Sequence, residues 1–354
     1  MKPVLFESYK VCNNKFISVI KLNSPGNLNA LTLEMVDLIQ EHLDSVRYSE
    51  NIVAVILDSV IDKAFCAGGD VVSITQAWSK GDEQLAKDFF LREYKLDRDI
   101  HRFPKPVICL ANGIVMGGGM GLMNGCSHRV VTETTYMAMP EISIGLFPDV
   151  GGSWFLNQIP DGMGLFLGLT AAPMNGADAK YLGLADYMIS SHYRNEIVEH
   201  LIAADWNAPA QEIVDKLFSE LQTASAEQCS HVQSNCEQHQ ALIATATHQE
   251  TLPEVVAAIL NCDSDERWLR KAKDNLDYGS PLSAWLIHQQ LQRSASMSLE
   301  EVFEFEYNLV LACCKQGDFA EGVRALLIDK DRQPNWQYRS VDEVNHRFIN
   351  TFFE

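Results

Sequence analysis

The fold is decided by Gly113–Gly152, GIVMGGGMGLMNGCSHRVVTETTYMAMPEISIGLFPDVGG. Its triplet Gly117-Gly118-Gly119 stands where a helix should begin, so several backbone N–H groups point outward at the positive end of a helix dipole. Farther along, Glu141 and Asp149 are the carboxylates of an otherwise apolar, glycine-rich run. A carboxylate held among Met, Ile, Phe and Pro has its pKa raised by desolvation, which suits general acid–base work. Outward amides and such carboxylates together outline an oxyanion hole with its acid–base groups, the site of an acyl transfer or an enolate-forming reaction.

Upstream of this stretch, short strands alternate with helices. Val4–Tyr9 and Phe16–Leu22 read as a hairpin turning at Cys12–Lys15. Leu31, Met35, Leu38, Ile39 and Leu43 follow helical spacing to about Val46. Ile52–Leu57 is a continuous apolar run, a strand buried on both faces. Lys63–Asp70 (KAFCAGGD) has small residues that let a ligand approach the backbone, and Asp70 is placed to cap a helix starting at Val71. A plain strand-to-helix turn explains that octapeptide equally well. Gln84–Phe103 is helical by pattern, with Phe89, Glu93, Leu96 and Ile100 on one stripe. A carboxylate there must either pair with an arginine or face a polar pocket, and spacing alone does not choose.

Pro106–Ala111 is another buried strand, followed by the glycine run, a Met120–Asn124 helix and short strands at His128–Thr132 and Tyr136–Met139. Gly162–Thr170 and Ala177–Leu184 read as helices, and Asp186–Ile189 as a strand. This alternation predicts an α/β architecture. From about His192 the pattern is helical only. Ser280-Pro281 marks a capped helix start, Ser298-Leu299-Glu300-Glu301 is a capping box, and Asp318 with Glu321 resembles one. The expected division is a catalytic core over residues 1–195 and a helical region over 196–354 packed on it.

Composition narrows the function. A net charge of −19 argues against nucleic acid or an anionic membrane as partner, so an anionic ligand needs local cations or helix N-termini. Nine cysteines form no regular framework and read as free thiols of a reducing compartment. The Cys229, His231, Cys236, His239 spacing matches no zinc pattern. MKPVLFESYKV has the character of neither a secretory nor a mitochondrial leader, so the expected location is the cytoplasm, or the mitochondrial matrix in a eukaryotic cell. The dinucleotide fingerprint fails because Leu122 stands where its last glycine is needed. A serine-hydrolase elbow around Ser143 fails because Glu141 replaces its first glycine. Cys66 lacks a positioned histidine and reads as packing.

Asn29-Ala30-Leu31 before a helix, KAFCAGGD, GIVMGGG and Met139-Pro140-Glu141 together resemble the crotonase, or enoyl-CoA hydratase/isomerase, superfamily. The resemblance is closer to its 3-hydroxyisobutyryl-CoA hydrolase branch, and it extends through GLFPDVGG (Gly145–Gly152) and EGVRALLIDKD (Glu321–Asp331). It implies a spiral of ββα units with a helical C-terminal region. It further implies a thioester oxygen held by the N–H groups of Gly69 and Gly118, with Glu141 and Asp149 as the catalytic carboxyls. Glu93 would line the acyl pocket. The CoA moiety would thread between Asn29, Ala30 and Leu31 on one side and Lys63, Ala64, Phe65, Ala67 and Gly68 on the other. Hydratases of the superfamily use a second glutamate shortly after the triplet; Gly121 stands there, so the hydratase pair is broken.

The implied activity is hydrolysis of a short 3-hydroxyacyl-CoA thioester, 3-hydroxyisobutyryl-CoA of valine catabolism. An isomerase or hydratase of the same fold and a non-catalytic acyl-CoA binding protein are the alternatives. No cofactor is expected beyond the CoA carried by the substrate, and a homo-oligomer is expected to be possible.

Overall fold

Ten strands and a series of helices alternate through the first 190 residues of the computed structural model, which describes residues 2–354. β1 (Val4–Lys10) and β2 (Phe16–Leu22) form an antiparallel hairpin in register from Val4–Leu22 to Lys10–Phe16. Asn13 and Asn14 turn it in the left-handed region, which asparagine tolerates better than most residues. Helix α1 (Leu33–Arg47) starts two residues later than its apolar pattern suggests, because the Thr32 hydroxyl accepts from the Met35 amide and caps it there. Then come β3 (Ile52–Ser59), β4 (Ala64–Cys66), α2 (Val71–Ser79) and α3 (Glu83–His101). Asp70 caps α2 as expected, accepting from the Ser73 amide.

A second and third turn of the same ββα pattern follow: β5 (Val107–Ala111), β6 (Ile114–Met116), α4 (Gly118–Asn124), then β7 (His128–Thr132), β8 (Tyr136–Ala138), α5 (Gly152–Gln158) and α6 (Met163–Thr170). β9 (Met174–Asn175) and β10 (Tyr187–Ile189) complete the strands. In each turn the first strand joins a six-stranded sheet, order β1-β2-β3-β5-β7-β10, and the second joins a four-stranded sheet, order β4-β6-β8-β9. β4 and β6 are three-residue strands that run into glycines, so the sequence showed only a turn there.

The chain packs as two compact units, each made of three separate segments. Met1–Gly69, Leu96–Met137 and Met174–Ser234 form the first; Asp70–Lys95, Ala138–Pro173 and Asn235–Glu354 form the second. In the first unit, alternate residues of the large sheet (Ile17, Val19, Ala54, Ile56, Ile108, Leu110, Val130, Ile189) pack against Ile197, Trp206, Val214 and Phe218 of the following helices. Cutting Phe218 to Ala would cost about 3–5 kcal/mol.

The second unit is helical, and its helix starts follow the sequence signals. Ser280 caps the Pro281–Ser294 helix, and Ser298 with Glu301 makes a true capping box at the head of the Leu299–Gln316 helix. The pairing expected of Asp318 and Glu321 does not form. Asp318 instead accepts from the Ser280 hydroxyl and the Gln337 amide, while Glu321 grips Arg324. Among the described residues no strand follows Ile189, and no helix is long and apolar enough to cross a membrane.

Candidate active site

Of the candidate residues, the amide half belongs to the first unit. Leaving β4, the chain turns at Ala67–Gly69 against the loop Asn27–Leu31. Leu31 donates its amide to the Gly68 carbonyl at 2.8 Å, and Ala67 donates to Leu28 at 3.1 Å. α4 begins hard against the same strand: a Cβ on Gly119 would lie 2.5 Å from the Cys66 carbonyl oxygen, so only glycine permits this approach. The approach brings the Gly118 amide nitrogen to 3.9 Å from where a Cβ of Gly68 would stand.

Gly118 is the first residue of α4, and the amides of Met120 and Gly121 bond back to the Gly117 carbonyl. Among the described residues neither the Gly69 nor the Gly118 N–H has an acceptor. Two uncommitted amides therefore lie on adjacent segments, as stabilising an oxyanion requires.

The residues expected to line a CoA channel divide into two groups. The Asn29 side chain is fully buried and committed inside the protein: its amide donates to the Ser59 hydroxyl at 2.8 Å and the Phe65 carbonyl at 3.0 Å, and its oxygen accepts from the Ser24 amide at 2.7 Å. It braces a left-handed turn (φ 58°), so a ligand contact of its side chain is ruled out and only its backbone remains. Leu31, Ala64 and Phe65 are also core side chains. Ala30 and Ala67 are half-buried, and the Lys63 side chain is exposed while its carbonyl accepts from Ile114. Gly68, at φ 109°, supplies the turn.

The carboxyl half of the candidates belongs to the second unit. Glu93 projects from α3, Glu141 opens a 3-10 turn (Glu141–Ile144) after Pro140, and Asp149 sits in the loop before α5. All three are buried. Glu93 forms no ion pair among the described residues. Arg92 lies 4.0 Å from Asp88 and Arg98 lies 4.0 Å from Asp99, which removes the arginine-pairing reading. One oxygen of Glu93 and one of Glu141 have no hydrogen-bond partner among the described residues.

Burial, with Asp149 as a second cause, holds both glutamates well above the usual carboxylate range. Burial also raises Asp149, to about 6; the Tyr94 hydroxyl, donating to it at 2.6 Å, and backbone bonds limit the rise. The arrangement provides one carboxyl that is mostly ionised near neutrality and two that hold protons more tightly, the separation acid–base catalysis uses.

Sequence reasoning missed Tyr94, although it neighbours Glu93 and continues the Phe90 spacing. It also missed Glu306, buried on the Leu299–Gln316 helix among Val302, Phe303, Leu309 and Val310. A carboxylate on an apolar stripe is the signal that singled out Glu93, and it applied equally there. No group of three or more potential metal ligands comes together among the described residues. His239 is stacked on Trp268 and hydrogen-bonded to Glu266.

The family model described as enoyl-CoA hydratase/isomerase matches residues 17–353. The mitochondrial 3-hydroxyisobutyryl-CoA hydrolase of Xenopus tropicalis is 38% identical over 343 residues, covering 95% of this chain and 86% of that one. The human protein of the same name is 36% identical over 338 residues with the same coverage. A crystal structure described as an enoyl-CoA hydratase from Rhodobacter sphaeroides 2.4.1 superposes with a TM-score of 0.84 at 31% identity, covering 99% of this chain and 97% of that one. Whole-length similarity in both sequence and backbone agrees with the ββα turns, the glycine-built helix start and the buried carboxyls: the chain has the crotonase fold with C-terminal helices and belongs to the enoyl-CoA hydratase/isomerase family.

Proposed function

We propose that the protein hydrolyses a short 3-hydroxyacyl-CoA thioester, with 3-hydroxyisobutyryl-CoA as substrate, to the free acid and CoA. The relatives named above supply the substrate class. The site observation that carries the reading is the buried Glu141–Asp149 pair, combined with Gly121 where a hydratase's second glutamate would stand.

In this mechanism the amides of Gly69 and Gly118 hold the thioester oxygen as the carbonyl carbon becomes tetrahedral. Losing one such donor raises the barrier by about 3–4 kcal/mol. Glu141 takes the proton of the attacking water. Its raised pKa makes it a stronger base once ionised. The tetrahedral intermediate collapses by breaking the C–S bond, and CoA leaves as a thiolate that needs little acid assistance. Attack by the Glu141 carboxylate itself, giving a mixed anhydride that water then opens, leads to the same products. Asp149 and Glu93 hold the 3-hydroxyl or orient the water. CoA threads past Asn29–Leu31 and Lys63–Gly68 through backbone contacts.

A second reading, a hydratase or isomerase, is favoured by the Rhodobacter sphaeroides structure. It would leave proton transfer to Glu141 alone. A third is an acyl-CoA binding protein without turnover. A colorimetric thiol assay over a panel of acyl-CoAs separates the three. Thiol release from 3-hydroxyisobutyryl-CoA supports the hydrolase, a change in enoyl absorbance without thiol supports the second, and binding without either supports the third. We assign the reaction no cofactor besides the CoA of the substrate, and no nucleic-acid or membrane partner. The cytoplasm, or the matrix where mitochondria exist, is the location that fits this chemistry.

A further inference from the structure

Asp149 stands in an unusual loop. Val150 (φ 53°) and Gly151 (φ 85°) are successive left-handed residues, and the first is β-branched, a residue type that seldom adopts this conformation. Its amides meet an internal carboxyl, raised by burial to about 8 against the lowering effect of the Ser153 and Gly151 bonds. The fully buried Glu306 accepts from the Gly151 amide with one oxygen and from the Ser153 amide with the other, both at 2.7 Å. Gln290, equally buried on the Pro281–Ser294 helix, holds the other end: its side-chain amide donates to the Pro148 carbonyl at 2.5 Å and the Ser153 hydroxyl at 2.7 Å. The loop is thus tied on both sides of Asp149 by side chains about 140 to 155 positions away in the chain.

We propose that Glu306 and Gln290 are positioning residues for Asp149, holding the strained Pro148–Ser153 loop so that the Asp149 carboxyl keeps its orientation toward Tyr94 and the reacting acyl group. The inference rests on the assignment of Asp149 as a catalytic carboxyl. Neither side chain touches substrate in this scheme; both act through the loop. Shape matters at 306, because two N–H donors converge on two oxygens. Glutamine there offers one acceptor and turns an NH2 group on the second amide, so the nearest isostere breaks the clamp.

The test is steady-state thiol release from 3-hydroxyisobutyryl-CoA by the full chain, wild type against Glu306→Gln, Gln290→Ala, Asp149→Asn and the double variant Asp149→Asn/Glu306→Gln. Melting temperature and near-UV circular dichroism serve as folding controls. Mispositioning by about an ångström costs on the order of a hundredfold. Glu306→Gln is therefore expected to lower kcat by about ten- to a hundredfold with KM within about threefold, and the double variant to be no slower than Asp149→Asn. Gln290→Ala leaves the buried carboxyl in place and so carries the test if Glu306→Gln folds poorly; it is expected to lower kcat about tenfold.

The proposal is overturned if both single variants keep wild-type kcat. It is overturned equally if Glu306→Gln slows the Asp149→Asn background as much as it slows wild type, which marks a general structural role. Wild-type turnover by Asp149→Asn is a different failure: it removes the Asp149 assignment itself, whatever the clamp variants do.

Discussion

The amide half and the carboxyl half of the candidate residues are built in opposite ways. In the first unit the candidate groups are backbone amides: glycines at 68 and 119 let β4 and α4 approach, and two N–H groups have no acceptor among the described residues. In the second unit the functional groups are side chains, buried at a cost in solvation and held by a hydroxyl and by residues distant in sequence. An amide donor needs only a correct turn. A buried acid needs its environment, because desolvation rather than the residue type sets its proton affinity. The two halves should therefore fail differently when perturbed.

The largest effect is expected in the carboxyl half. Glu141→Gln should reduce thiol release by about 10²–10⁴-fold while leaving CoA binding intact. Turnover near wild type in that variant would refute the catalytic assignment. In the amide half, Gly118→Pro deletes the N–H at a first helical position, where the ring is tolerated. A loss of about 10²–10³-fold in kcat with an unchanged melting temperature is expected, and full activity would remove that amide from the oxyanion hole.

Tyr94→Phe sharpens the comparison through pH. The Tyr94 hydrogen bond favours the charged form of Asp149, so its loss moves the Asp149 pKa up from about 6. A hydrogen bond to a charged group contributes about 1.5–3 kcal/mol, or roughly one to two pH units. With Asp149 acting in its ionised form, as proposed, the acid limb of kcat/KM should shift upward by that amount. An unmoved limb would mean that another group sets it.

The smallest effect concerns stability. Glu93 binds its proton more tightly folded than unfolded, so its favourable contribution is complete at low pH and is lost as pH rises above its ordinary value of 4.5. Glu93→Gln lacks this loss. Its melting temperature relative to wild type should rise between pH 5 and pH 8, by about 2–4 °C for each kcal/mol involved. A difference constant with pH would show that burial of Glu93 carries no such penalty.

The two halves also differ in how far they could be read from the chain. In the amide half a glycine run and a helix start lie close together in the chain, so local rules mark them. What the sequence hid there was the commitment of Asn29, whose partners Ser59 and Phe65 lie 30 and 36 positions away. The carboxyl half was legible only in its acids. Glu141 and Asp149 stood out against apolar neighbours, but the tyrosine on Asp149 and the clamp on its loop come from elsewhere in the chain. No periodicity shows that the glutamate between Phe303 and Leu309 closes on the backbone of Gly151. Glu93 and Glu306 obey the same stripe rule, and applying it evenly would have found both. The short strands β4 and β6 run into glycines that read as turns, which hid them.

The interleaving of the two units bears on how the molecule is made. The first unit is not complete until Ser234 has left the ribosome, and the second waits for helices near the C-terminus. Residues 70–95 and 138–173 emerge early yet belong to the later-finished unit, so much of their apolar surface must wait uncovered in the nascent chain. No single cut in the chain separates the two units, and a fragment ending at any point before the last helices would leave one of them unfinished.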